Sequence, residues 1–371
     1  MMMVPKIKDS MKTICLKFFF LIGFFLPTNS VGQTNQSDLN TKLAELDDFL
    51  SMAQGEVGFP GIAFAVMQGE EVILQKNLGY ANLEHKVAVS HNTVFPLYSL
   101  TKPFIAVGVF SLIENGKLTL DDFASNYVDG LPDSWKNVQI KHLLSHSSGL
   151  PDMAGSNPYE IRDFTKEQAK DRVFEMPLIF QKGEKYAYNQ TNFWLLKEII
   201  EKVSGEELSD FIIHNQFPNA NDEGVFFSAD AREVIPGRAT AYFPWVKGKL
   251  MIDTPYANGD YFLACNGFHI TLENFIQWDQ RLRTNHLISE ASRNAMWKLF
   301  DYTNSEKSFA YGWEVTNLNN EIGYGFSGAM ATFYRTYPKK NISIIFLSNG
   351  FASMYNQDAL ANGISSIMLG Q

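Results

Sequence analysis

The segment Y-S-L-T-K-P, Tyr98 to Pro103, places a serine three residues before a lysine and just ahead of the apolar run F-I-A-V-G-V-F-S-L-I. If Ser99 opens a helix, Ser99 and Lys102 share one face, with Cβ atoms about 5–6 Å apart. A serine hydroxyl is a weak nucleophile and needs a nearby base. A lysine can serve once burial lowers its pKa, and the Leu, Phe and Ile residues around Lys102 offer that burial. The same four letters also describe a helix-capping serine and a snorkelling lysine, so the spacing alone does not decide. His142 and His146 stand four apart. That spacing suits a zinc helix, but neither Asp nor Glu lies between them, and both are expected as hydrogen-bonded core histidines. G-Y-G-F-S-G, Gly323 to Gly328, fits G-x-G-x-x-G. A dinucleotide site needs a helix after that motif, whereas A-T-F-Y-R-T-Y reads as a strand. Neither cofactor nor metal is expected.

The elements that would position Ser99 follow from periodicity. Leu39, Leu43, Leu46, Phe49 and Leu50 repeat at helical spacing. G-I-A-F-A-V-M-Q and V-I-L-Q-K-N-L-G-Y-A flank Gly69 and predict a hairpin. Lys102 to Glu114 predicts a buried helix closed by Asn115-Gly116. Gln139 to Ser145 is a short helical piece. Thr191 to Val203 is an amphipathic helix stopped by Ser204-Gly205. Y-G-W-E-V, A-T-F-Y-R-T-Y and N-I-S-I-I-F-L-S-N predict strands, and Ser353 to Leu369 a closing helix. The expected fold is therefore α+β. An antiparallel sheet draws strands from both chain ends, about 38–110 and 300–371, with an inserted mainly helical lobe, about 111–299.

Three further segments join S-L-T-K in a recognisable order: L-L-S-H-S-S-G-L-P-D from Leu143, G-E-K-Y-A-Y-N-Q-T-N-F from Gly183, and G-Y-G-F-S-G-A-M-A-T-F from Gly323. Together they resemble the serine β-lactamase and penicillin-binding family, in its class C and esterase-like branch, from roughly Leu43 to the C-terminus. The resemblance implies a β-lactamase/transpeptidase-like fold and an acylated Ser99. It makes Lys102 the residue that holds or relays the proton. Tyr188 becomes the tyrosine that protonates the leaving group and activates water, and the backbone N–H groups of Ser99 and Ala329 form an oxyanion hole. A phenolate at Tyr188 would need a cation nearby, and Lys102 is the one at hand. Gln190 stands where the family usually has asparagine, with its amide kept. Phe326-Ser327-Gly328 replaces a motif that normally begins with Lys or His. Loss of that cation disfavours carboxylate-bearing β-lactams and D-alanyl peptides and favours an uncharged ester. It also predicts an alkaline optimum, because Tyr188 loses a stabilising charge. Gln190, Phe326, Ser327, Gly328 and Tyr98 are the expected substrate-binding residues. Tyr186 and Trp313 are weaker candidates for substrate contact, and Trp194 and Trp245 could line the cleft. C-N-G-F-H-I-T, from Cys265, resembles a glycine-rich structural segment with a buried cysteine.

The chain has 371 residues, 45% hydrophobic and 19% charged, with a net charge of −9. That composition suits a folded protein. Lys12 and Lys17 precede the apolar run Phe18–Leu26, and Ser30 and Gly32 stand at cleavage spacing. Residues 1–32 therefore predict a signal peptide, with Met11 an alternative start, followed by a 33–37 linker and a 38–371 hydrolase domain. Cleavage removes four lysines and one aspartate and takes the net charge to −12. An acidic exported product, periplasmic or secreted, is a poor partner for nucleic acid. The apolar run is too short for a membrane span. The mature chain keeps one cysteine, so no internal disulfide forms. The function expected is a serine hydrolase acting on small esters. The alternatives are a D-alanyl-D-alanine carboxypeptidase or β-lactamase using Arg335 for the carboxylate, and an inactive penicillin-binding-like binding protein.

Overall fold

Ile62, Phe64 and Val66 alternate with Ala63, Ala65 and Met67, and all six side chains are buried. A strand with both faces covered must lie inside a layered structure. The computed structural model describes residues 31–54, 58–155, 164–218, 224–230, 232–244, 250–252, 259–351 and 356–370. Its strands run in chain order as β1 (Gly61–Gln68), β2 (Glu71–Asn82), β3 (Val87–Ala88), β4 (Phe95–Pro96), β5 (Val225–Phe227), β6 (Tyr242–Pro244), β7 (Leu250–Ile252), β8 (Phe268–Ile270), β9 (Glu314–Leu318), β10 (Glu321–Ser327), β11 (Phe333–Tyr337) and β12 (Ile342–Ser348). Seven of them form one antiparallel sheet in the order β3-β2-β1-β12-β11-β10-β9. The two chain ends meet where β1 pairs with β12, Ile62 opposite Ser348. The fold is α+β, as the sequence predicts.

Helix α1 (Val31–Met52) lies on the outer face of the sheet with the closing C-terminal helix (Gln357–Leu369). Leu46, Leu50, Phe64, Phe333, Phe346 and Ile364 make that core, and Phe333 stacks on Phe346 at 5.2 Å. Helix α1 takes in residues 33–37, which the sequence sets apart as a linker. The signal segment up to residue 30 lies outside the described residues.

On the inner face, α2 (Lys102–Glu114) and α3 (Gln190–Ser204) pack together at the centre of the larger core. Every residue of α2 from Lys102 to Phe110 is buried, so its first turns have no solvent face. A helix that is apolar all round, as this one is after Lys102, belongs in an interior. Helix α4 (Leu272–Arg283) belongs to this inner layer too. It falls within the range expected for the helical lobe, yet it packs on β1 and β12, and its Asp279 bonds Tyr334 of β11. A small sheet, β4-β8-β5, sits beside the start of α2. Strand β10 is not among the strands read from the sequence. Its glycines mask the β pattern, but Gly325 is required because a Cβ there would lie 1.8 Å from the Tyr334 carbonyl oxygen.

Candidate active site

Ser99 lies in a single 3₁₀ turn, Tyr98–Thr101, that runs straight into α2 at Lys102. Residues three apart eclipse in such a turn, so the two side chains share one side. The turn is pinned to β8: Leu97 N–H donates to the Phe268 carbonyl at 2.8 Å, and Phe268 N–H donates to Thr101 Oγ1 at 3.1 Å. Tyr98 is held at φ +48°. That left-handed conformation costs a bulky residue roughly 1–3 kcal/mol. Gly328 closes the other side, where a Cβ would lie 2.2 Å from the Leu97 carbonyl oxygen. Tyr98 itself is 6% exposed and packs with Ala241, Met330 and Ala329, which brings Ala329 beside the serine turn. Among the described residues, no hydrogen bond is donated by Ser99 N–H or Ala329 N–H to another protein group.

Tyr188 Oη donates to Ser99 Oγ at 2.6 Å, and Ser99 Oγ faces Asn266 Oδ1 at 3.5 Å. Lys102 is fully buried. Its Nζ donates to Gln190 Oε1 at 3.1 Å and to the Cys265 carbonyl at 3.0 Å. Burial pulls the Lys102 pKa down to about 8, although Cys265, Asp152 and Glu314 pull the other way. An ammonium has three donors and an amine two. Deprotonation thus leaves both bonds intact and opens a lone pair at the third corner. Tyr188 is 38% exposed, and its hydroxyl faces Ser99 with Gln190 close by. Burial pushes its pKa up, with Cys265 and Glu314 adding to the rise, and hydrogen bonding with Ser99 and Gln190 only partly opposes it. The phenolate expected at Tyr188 is therefore not favoured here. The rise keeps the phenol protonated at neutral pH, while Lys102, drawn down to about 8, is the group that titrates nearer neutrality.

Gln190, expected at the substrate, uses its amide oxygen to hold Lys102. Asp152 Oδ1 accepts from Gln190 N–H at 3.2 Å and anchors the start of α3. The Phe326 ring is 2% exposed and lies 6.4 Å from the Tyr188 ring and 5.9 Å from Lys102 Nζ. Ser327 Oγ bonds Glu314 and Arg335. Arg335 is only 4% exposed and forms a 2.9 Å ion pair with Glu314, so the carboxylate-binding role considered for it is already filled from within the protein. Trp194 and Trp313 are buried in the core. Trp245 lies outside the described residues. Among the described residues, no group of three His, Cys, Asp or Glu could hold a metal.

His142 and His146 are buried and hydrogen-bonded. His146 has a second feature that its sequence context did not show. Its ring lies 4.8 Å from that of Tyr188, and its Nδ1 accepts from Asn189 N–H at 3.2 Å. Burial and the Lys102 charge hold it neutral, well below the usual histidine pKa. The segment Cys265–Thr271, read as structural, supplies Asn266 to Ser99 and the Cys265 carbonyl to Lys102. Its only signal in the sequence is the glycine-rich pattern, which gives no polar role to either residue.

Ser99, the buried Lys102 and Tyr188 thus stand together where the serine turn enters α2, with Lys102 Nζ 4.8 Å from the Tyr188 ring centre. Residues 44–364 match the family model described as Beta-lactamase, and the chain belongs to that family, whose members are generally serine hydrolases. It is 27% identical to penicillin-binding protein 4* of Bacillus subtilis over 335 residues, covering 84% of this chain and 73% of that one. The structure of a penicillin-binding protein from Bacillus halodurans superposes with a TM-score of 0.74 at 21% identity, covering 86% of this chain and 98% of the other. EstCE1, described as a hydrolase with promiscuous acyltransferase activity, superposes with a TM-score of 0.70 at 19% identity, covering 90% and 99%.

Proposed function

We propose that the protein hydrolyses small esters through an acyl-enzyme on Ser99, as in the esterase-like branch of its family. The observation that carries this reading is the Ser99 hydroxyl, 2.6 Å from a neutral Tyr188 and one turn from a buried Lys102 with a pKa of about 8. Ser99 Oγ attacks the ester carbonyl while its proton passes to the neutral Lys102 amine. The tetrahedral oxyanion takes the Ser99 and Ala329 N–H groups, each worth roughly 2.7–4 kcal/mol in comparable sites. The carbonyl–alkoxide bond then breaks, the alkoxide takes the Tyr188 proton, and the Lys102 ammonium restores it. Water reverses the sequence: it loses a proton to Tyr188 and Lys102, attacks the acyl carbon and releases Ser99 and the acid.

Substrates without a carboxylate are favoured because Phe326 stands where the family usually has a cation and Arg335 is committed to Glu314. The same reading has the enzyme exported, on the strength of Lys12, Lys17 and the apolar run Phe18–Leu26. Among the described residues, no helix is long and apolar enough to cross a membrane. The test is hydrolysis of p-nitrophenyl acetate by the parent and by Ser99→Ala. Turnover that disappears in the variant is the expected result. Equal rates in both, or no turnover in either, would count against the reading.

A further inference from the structure

Glu314 opens β9 opposite Gly325 of β10, and Arg335 of β11 faces Gly325 from the other side. This row crosses three strands with no side chain in the middle. Over the gap, Arg335 Nη2 donates to Glu314 Oε2 at 2.9 Å and to Ser327 Oγ at 2.8 Å, and Ser327 Oγ donates to Glu314 Oε2 at 3.3 Å. Arg335 Nη1 donates to the Tyr334 carbonyl. The guanidinium is thus buried and spent. The Glu314 side chain is 30% exposed, and its Oε1 accepts no hydrogen bond from the described residues. Strand β9 pairs with β10 only as far as Gly325, which leaves the edge from Phe326 onward open. Glu314 stands where that edge begins. Its charge bears on Lys102, Tyr188 and Tyr186.

We propose that Glu314 is a specificity-determining residue, its free oxygen receiving an ammonium group carried by the ester substrate. This rests on the esterase reading and names the substrate class. Burial pushes the Glu314 carboxyl above its ordinary pKa even with Arg335 and Lys307 nearby, a strain that an added cation relieves. Tyr188, 38% exposed, stands beside Ser99, and its ring suits a cation. Lys307 is the competing positive group, with its Nζ 5.3 Å from the Tyr186 ring centre. It is exposed, so solvent and salt screen it.

The probes are 3-(trimethylammonio)phenyl acetate, its neutral isostere 3-tert-butylphenyl acetate, and the anionic 3-carboxyphenyl acetate. The parent should favour the cationic over the neutral ester by roughly fivefold in kcat/KM at low salt. In Glu314→Gln that ratio falls to near one, and in Glu314→Asp, which keeps the charge, most of it returns. An unchanged ratio in Glu314→Gln, or a preference for the anionic ester, overturns the proposal. If Glu314→Gln does not fold, the salt dependence of the parent's ratio decides, since a charge preference must shrink as salt rises. Calorimetric binding of 3-(trimethylammonio)phenol and 3-tert-butylphenol to Ser99→Ala reads the same preference without turnover. Tighter cation binding there supports the proposal even if the hydrolase reading fails, and equal affinity overturns it.

Discussion

The two faces of the seven-stranded sheet are built on opposite terms. Beneath α1 and the C-terminal helix, Phe59, Phe64, Phe333 and Phe346 pack against leucine and isoleucine. On the Ser99 side, Lys102, His146, Cys265 and Asn192 are all fully buried among aromatic rings. The first arrangement gains from burial at about 25 cal/mol per Å² of apolar surface. The second keeps a charge out of water, which is unfavourable, and so obtains an amine that titrates near 8. The outer core is apolar throughout, whereas the larger inner core also buries the polar groups gathered around Ser99.

Lys102→Met takes the buried charge out of the inner layer and should have the largest effect. Turnover should fall by roughly 10³-fold or more, since a nucleophile without its base is left with binding and oxyanion contacts. Stability at pH 6 should not fall, and the measurement is a urea titration beside the parent. Removing the buried charge returns up to about 3 kcal/mol, offset in part by two carbonyl oxygens left without a donor. Next comes Phe346→Ala in the outer core, which should cost about 3–5 kcal/mol in denaturation. The kcat/KM of the folded fraction should stay close to the parent's.

Comparing parent and Lys102→Met across pH sharpens the contrast further. The Lys102 pKa is lowered on folding from 10.5 to about 8, so the unfolded chain binds the extra proton between those values. Stability of the parent relative to the variant should therefore rise as pH goes from 8 towards 10.5, by up to about 3 kcal/mol, and stay level below 8. The smallest effect is expected for Asn266→Ala. Its 3.5 Å contact with Ser99 is long, so kcat should drop by about tenfold or less.

Much of this organisation is legible in the chain because it is local. Period and end signals place α2 and α3: Asn115-Gly116 closes the first and Ser204-Gly205 the second. Spacing alone puts Ser99 and Lys102 on one side. The remainder depends on partners distant in sequence. Alternation puts Arg335 on a face, but the charge it meets is 21 residues away on another strand. Asn266 reaches Ser99 across 167 residues. Gln190 has the amide a substrate contact needs, yet only the fold shows that its oxygen holds Lys102. The upward shift at Tyr188 was also beyond spacing, because it depends on the groups the fold packs around it.

If a neutral Lys102 activates Ser99, acylation must follow the titration of that amine. The most direct test follows acylation by p-nitrophenyl acetate from pH 6 to 10, with quenched samples read by intact mass and peptide mapping. One acetyl group on Ser99 is expected, formed at a rate that rises with pH with a midpoint near 8. Acetylation at another residue, or a rate that does not change across that range, would contradict it.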